Sequence, residues 1–221
     1  MRALIGALAL TVAATSVSAA GLSKKATERI RDAATVLKEI HGAPDKDIPT
    51  DLWDKAECVI VVPSLKKAAF VFGGEFGKGL MSCRRGGAWG APVFMEVGKG
   101  SWGLQIGAQS IDLVLLVMNK GGAEKMLGNK VSLGAEGSIA AGPVGRDARA
   151  ATDAQMKAEV LAYSRTQGLF AGVNLSGGVV KPDTSDNEDL YGPKATAKDI
   201  VLGGAVKAPA VTAPFMAALR R

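Results

Sequence analysis

Four acidic side chains stand in apolar surroundings: Glu75, Glu96, Asp112 and Glu136. Two carboxylates held at different pKa values are the minimum for general acid and base chemistry. Any two of these would supply such a pair if the fold brought them into one pocket. Nucleophilic chemistry has less to work with. The single histidine, His41, falls in KEIHGAP at the end of a helical pattern, a place that suits an imidazolium beside the helix C-terminus. No triad partner accompanies it, and no G-x-S-x-G elbow occurs. Cys58 and Cys83 have no Cys or His neighbours at zinc spacing. They are either one disulfide or two buried thiols, and spacing does not decide between the two. DTSDNED (183–189) alternates Asp183, Ser185 and Asn187 but lacks the glycine and distal glutamate of a calcium loop, so it reads as a solvated loop. No metal or cofactor is expected from these patterns.

Residues 98–103 spell GKGSWG, a literal G-x-G-x-x-G. A dinucleotide fingerprint needs a strand before it and a helix after it. PVFMEV (92–97) supplies the strand, but Leu104, Ile106 and Ala108 alternate with Gln105, Gly107 and Gln109 at the period of a half-buried strand. With no helix to hold a pyrophosphate, Gly98–Gly103 is expected to be a hairpin turn.

Cations recur in pairs: Lys24-Lys25, Lys66-Lys67, Arg84-Arg85, and Arg146 with Arg149. Singly, each suits a solvated turn. Lys66-Lys67 opens one strand pattern and Arg84-Arg85 closes another, and on one rim of a sheet they would attract anions.

The elements that must position these groups follow from periodicity. LSKKATERIRDAATVLKEI (22–40) sets Leu22, Ala26, Ile30, Ala33, Leu37 and Ile40 on one helical stripe, and Gly42 and Pro44 stop it. Such a stripe more often packs on the parent domain than lies on a bilayer. ECVIVV (57–62) predicts a strand broken by Pro63-Ser64; KKAAFVFGG (66–74), GKGLMSCRR (77–85) and APVFMEV (91–97) predict more, with Gly86-Gly87 as a turn. A buried strand is predicted over 111–118, helical turns over 119–129, strand again over 168–180, and a capped short helix over 195–204. The 28 glycines fit a strongly bent sheet. The fold class is α+β: a curved, barrel-like antiparallel sheet with an N-terminal amphipathic helix and a few short helices.

Residues 1–20 carry Arg2, an apolar run and small residues at their end, the pattern of an export signal. The organisation expected is a signal peptide over 1–20, one domain over 21–205 and a Pro-broken C-terminal arm over 206–221. Over the whole chain 27 Lys and Arg face 21 Asp and Glu, a net charge of +6. That favours anionic surfaces. Nucleic acid is not expected, because no dense basic run is interleaved with aromatics.

Seven fragments in one order resemble a known family: W-G-A-P (89–92), S-W-G-L-Q-I-G-A-Q (101–109), L-V-L-L-V-M-N (113–119), V-S-L-G-A (131–135), A-A-G-P-V-G-R (140–146), Y-S-R-T-Q-G-L-F-A-G-V (163–173) and N-E-D-L-Y-G (187–192). The chain from about Leu22 to Gly204 is similar to the SYLF domain family. The resemblance implies a lipid-binding domain whose eukaryotic members bind phosphoinositides through basic residues and an N-terminal amphipathic helix, some of them binding actin filaments. Carried onto this sequence, it makes Lys24, Lys25, Arg29 and Arg31 candidate head-group contacts. The family commonly has Trp-Ser-Ala-Pro where this chain has Trp89-Gly90-Ala91-Pro92, so a role for that serine is absent here.

The function expected is therefore non-enzymatic binding of anionic phospholipid, or another amphiphile, at the membrane surface of the cell envelope. Lys24, Lys25, Arg29, Arg31, Lys66, Lys67, Arg84 and Arg85 would be the contacts, with Trp89 and Trp102 offering apolar surface. Actin is not expected as a partner of an exported chain. Two other functions compete: a protein–protein interaction module using the same helix, and an envelope enzyme built on two of the four acids.

Overall fold

A computed structural model of the chain describes residues 21–42, 47–69, 72–102, 107–128, 130–135, 137–144, 157–166, 169–204 and 206–220. The expected signal peptide, Glu136, Arg146 and Arg149 lie outside the described residues, as do the side chains of Lys67 and Trp102.

Helix α1 (Lys24–His41) begins where the Ser23 hydroxyl accepts the Ala26 N–H at 3.1 Å, and it closes with the Gly42 N–H on the Lys38 carbonyl at 3.0 Å. Its stripe is buried: Ala26, Ile30, Ala33, Leu37 and Ile40 are all fully covered. A short helix α2 (Thr50–Lys55) then leads into the sheet.

The strands are β1 (Cys58–Ala69), β2 (Phe72–Arg85), β3 (Ala88–Trp89), β4 (Val93–Trp102), β5 (Gly107–Val117), β6 (Val131–Ser132), β7 (Ile139–Ala141), β8 (Val160–Thr166), β9 (Leu169–Gly172) and β10 (Gly178–Pro182). They form one strongly curled, half-barrel sheet in the order β6-β10-β4-β2-β1-β5-β8-β7, with β3 on β2 and β9 on β8. The α+β, curved-sheet expectation stands. Pairing is antiparallel except between β7 and β8, which run parallel.

Alternation along each strand divides the core in two. Val59, Val61, Leu80, Phe94, Val114 and Leu116 face α1, Trp53 and the C-terminal helix. Ile60, Val62, Met81, Met95, Leu113 and Leu115 face the other way, onto α3 (Lys120–Gly128) and the turn holding Ile200 and Val201. Covering both faces of a sheet removes the larger part of its apolar surface from water, and that burial is the main stabilising term.

Several local expectations are corrected. Pro63-Ser64 does not end β1. Its register on both neighbours shifts there, Ser64 takes a positive φ of 54°, and its N–H donates to Asp112 at 2.9 Å. The proline has no N–H to leave unpaired, so the strand absorbs it as a bulge. Curvature is concentrated beside it: a Cβ at Gly79 would overlap the Val61 carbonyl, and one at Gly77 would meet Val62 and Leu65. Gly98–Trp102 are not a turn but the end of β4, paired with Phe72–Phe76 of β2; the link to β5 falls at 103–106, outside the described residues. DTSDNED is not a loop but the start of α4 (Thr184–Tyr191), capped by Asp183, whose carboxylate accepts the Asp186 N–H at 3.3 Å. The 195–204 helix is a π-helical turn over Asp199–Gly203, entered where the Thr196 hydroxyl donates to the Asp199 carboxylate and accepts the Asp199 N–H. Nor is the tail an arm. Helix α5 (Ala213–Ala218) lies against α1, and Phe215 and Leu219 are fully buried.

Candidate interaction surface

The cations singled out in the sequence reach very different surroundings. On α1, Lys24 and Lys25 are exposed, Lys24 lying 3.9 Å from Glu28 one turn on, and Arg31 is exposed as well. Arg29 points the other way. Its guanidinium donates to Asp186 at 2.5 Å and lies 5.6 Å from the centre of the Phe94 ring. Lys66 is exposed beyond the β1 bulge. Arg84 is half-buried and Arg85 exposed at the end of β2.

No common rim joins Lys66 and Arg84. Lys66 pairs with Phe76, whereas Arg84 follows Cys83, the partner of Cys58. Antiparallel pairing sets the end of β1 beside the start of β2, so the two strand ends lie eight residues apart along β2, roughly 27 Å at strand rise.

Arg29 belongs to a polar network between α1, α4 and the sheet. Lys78 of β2 donates to Asp183 at 2.6 Å and lies 3.3 Å from Glu96 and 3.8 Å from Asp186. Lys181 of β10 reaches Glu96 at 2.8 Å. Asn187 replaces a strand partner for β4: its side-chain carbonyl accepts the Phe94 N–H at 2.8 Å, and its amide donates to the Phe94 carbonyl at 2.9 Å. Burial pushes the Lys78 ammonium down, but Asp183, Asp186 and Glu96 outweigh it and hold the pKa above its usual 10.5. Asp183 is 3% exposed, so the network is a structural bolt.

A second bolt fixes the other end of α1. Arg165 of β8 grips Asp112 through Nε at 2.8 Å and a terminal nitrogen at 2.6 Å, and it also pairs with Glu39 of α1. Of the four acids proposed for catalysis, the three that are described are thus parted. Glu96 sits among lysines, Asp112 holds Arg165 and the bulge, and Glu75 lies opposite Lys99 at the far end of β2. Among the described residues no three His, Cys, Asp or Glu side chains converge as metal ligands.

Open cationic surface lies elsewhere, at the turn between β2 and β3. A cleft of about 470 Å³ is lined by Lys55 at the end of α2, Arg84, Arg85, Gly86 and Gly87 of the hairpin, Lys120 at the start of α3, and the acids Asp54 and Glu57. Gly86 and Gly87 have φ of 54° and 87°, the two positive values of a tight two-residue hairpin turn. Beneath it, Cys58 and Cys83 form a disulfide, which decides the question their spacing left open. Arg84 is braced from several sides. It donates to the Trp53 and Gly87 carbonyls, both at 3.3 Å, lies 4.2 Å over the Trp89 ring and 3.9 Å from Asp54. Trp89 in turn meets Trp53 at 5.7 Å, so it is scaffold and not free apolar surface. The Arg85 guanidinium rests on Gly204 (φ 79°), where any Cβ would overlap it. Lys55 and Lys120 were missed in the sequence because single lysines at helix ends carry no signal; only the tertiary structure gathers them beside the arginine pair.

Residues 98–221 match the family model Ysc84, described as "Las17-binding protein actin regulator". The chain belongs to the Ysc84 family. Ysc84-type relatives include SH3 domain-containing protein PJ696.02 of Schizosaccharomyces pombe, 38% identical over 173 residues, covering 76% of this chain and 40% of that protein. LAS seventeen-binding protein 3 of Saccharomyces cerevisiae is 33% identical over 186 residues, covering 82% of this chain and 40% of its own length. The human SH3 domain-containing YSC84-like protein 1 is 30% identical over 183 residues, covering 82% and 53%. The chain thus spans about half or less of the relatives it matches. The Ysc84 match confirms the SYLF resemblance and corrects the partners. Anionic phospholipid at a membrane surface was expected and actin was not, yet the family is described by Las17 binding and actin regulation, and these relatives' names mention no lipid.

Proposed function

We propose that this chain is a non-catalytic protein-binding module whose partner is of the class its relatives are named for, a regulator of actin assembly. The observation that carries the reading is the fate of α1. A helix that lay on a bilayer would need its apolar stripe free, but Ile30, Leu37 and Ile40 are spent on the sheet and Arg29 on Asp186. What the helix offers outward is polar: Lys24, Lys25 and Arg31 beside Glu28 and Asp32. A stiff, double-covered sheet carrying polar and cationic surface suits recognition of a protein more than chemistry. The parting of Glu75, Glu96 and Asp112 supports the non-enzymatic half of the reading.

The test is direct binding. Purified chain immobilised on a sensor surface should capture purified yeast Las17, with actin filaments assayed separately by co-sedimentation. Failure to bind either would remove the partner class. Export is a competing proposal, because an exported chain would not meet a regulator of actin assembly; it is supported by the leader-like residues 1–20 and by the Cys58–Cys83 disulfide, since disulfides persist in oxidising compartments. Amino-terminal sequencing of the mature protein should find a start within a residue or two of Gly21; a retained Met1 would overturn it.

A further inference from the structure

We infer that the cleft at the β2–β3 turn is a docking site for an acidic segment of a partner protein, an assignment that rests on the protein-binding reading above and adds where and by what chemistry. Among the cations already described, those of α1 and β2 that face the core are consumed by Asp183, Asp186 and Glu96. The cleft differs in having four cations, Lys55, Arg84, Arg85 and Lys120, against two acids, Asp54 and Glu57. Asp54 lies near Arg84, which leaves Lys55, Arg85 and Lys120 exposed around the opening.

Arg84 is held ready by two carbonyls and the Trp89 ring, while the exposed Arg85 guanidinium lies against the bare backbone of Gly204. A guanidinium whose rotamer is already set loses less entropy on meeting a carboxylate and presents a fork that matches both oxygens. Lys55 and Lys120 flank that pair on flexible stems from two different helices, so a run of carboxylates would meet charge from either side. The cleft is open and its lining is polar, unlike the enclosed apolar pocket a small molecule needs. Gly86 and Gly87 put no side chain above the turn, and a Cβ at either would meet nothing within 4 Å, so an extended chain has room to pass.

The experiment uses fluorescence anisotropy with a fluorescein-labelled peptide of alternating Glu and Gly, and its Gln counterpart as control. Three proteins are compared: the unmodified chain, the cleft triple Lys55→Glu/Arg85→Glu/Lys120→Glu, and the helix triple Lys24→Glu/Lys25→Glu/Arg31→Glu, which changes net charge equally. The acidic peptide should bind the unmodified chain, weaken by at least about tenfold in the cleft triple and by less than about threefold in the helix triple. The milder Lys55→Gln/Arg85→Gln/Lys120→Gln protein should show the same ranking, which guards against a folding defect. Equal loss in the two Glu triples, or equal binding of the Gln peptide, overturns the site. So does tighter cleft-dependent binding to phosphatidylserine vesicles, or displacement of the peptide by millimolar inorganic phosphate, because the ligand would then be a phosphate group. If the peptide binds at the cleft while Las17 does not bind the chain, the site stands and the partner class falls. Las17 binding that survives the cleft triple does the reverse.

Discussion

The α1-covered face and the β2–β3 cleft are both rich in cations, and they use them in opposite ways. Under α1, Arg29 and Lys78 are locked onto Asp183, Asp186 and Glu96, and their charge is spent inside the molecule. At the cleft, Lys55, Arg85 and Lys120 stand in water with few acids to meet them. The same residue types hold the fold together in one region and leave it open to a partner in the other. The difference is burial: a desolvated charge must find an internal counter-charge, and a solvated one need not.

That contrast can be broken in several ways. The largest effect is expected where the covered face is apolar. Phe215→Ala should cost about 4 kcal/mol in urea unfolding, because α5 is part of the core beside α1; a loss below about 0.5 kcal/mol would return the tail to the status of an arm. Next comes Lys78→Ala, which leaves Asp183 buried without its ammonium and should cost about 3 kcal/mol by the same measurement. Lys78→Ala with no loss would mean the network is not a bolt.

Removing the disulfide with Cys58→Ser/Cys83→Ser should lower stability by about 2 kcal/mol and loosen the strand end that carries Arg84, read as a drop in thermal midpoint that reductant no longer deepens. The alkaline limb tests the covered face again. Burial raises the pKa of Tyr163 and Tyr191 above their usual 10.0, and the acids around Lys78 raise its pKa above 10.5. In all three the folded state holds its proton more tightly than the unfolded chain. Their stabilisation is therefore complete below pH 10.0 and is lost as pH climbs beyond it, with tyrosinate absorbance appearing only on unfolding. Phenolate absorbance growing near pH 10.0 in the folded protein would contradict that burial. The smallest effect belongs to the cleft. Lys120→Ala and Lys55→Ala should each shift stability by less than about 0.5 kcal/mol, as exposed cations do. A larger cost would make them fold residues and weaken their assignment to a partner.

Much of the architecture was legible in the chain. The Ala26-Ile30-Ala33-Leu37-Ile40 stripe marked α1, the Gly86-Gly87 pair marked a turn, and β-branched runs marked β1 and β5. The failures share a cause. Pro63-Ser64 looked like a strand end because a single strand gives no sign of the Asp112 carboxylate, far along the chain, that accepts the Ser64 N–H. DTSDNED looked like a loop because its polar residues seemed solvated, whereas Asp183 and Asp186 are buried against Lys78 and Arg29, and Asn187 against the Phe94 backbone. The shared rim of Lys66 and Arg84 failed on strand direction, which pairing alone fixes. The cleft was half visible: Arg84-Arg85 stood out as a pair, while Lys55 and Lys120 come from separate helices.

By itself, the order of residue types determined where the chain is helical, where it is extended, which faces must be apolar and which family it belongs to, because periodicity and local turn chemistry act over a few residues. Whether a given cation is a bolt or a docking contact was decided only in three dimensions. That choice depends on which charges lie within a few ångströms and how much water reaches them, and such neighbours come from strands and helices far apart in the chain.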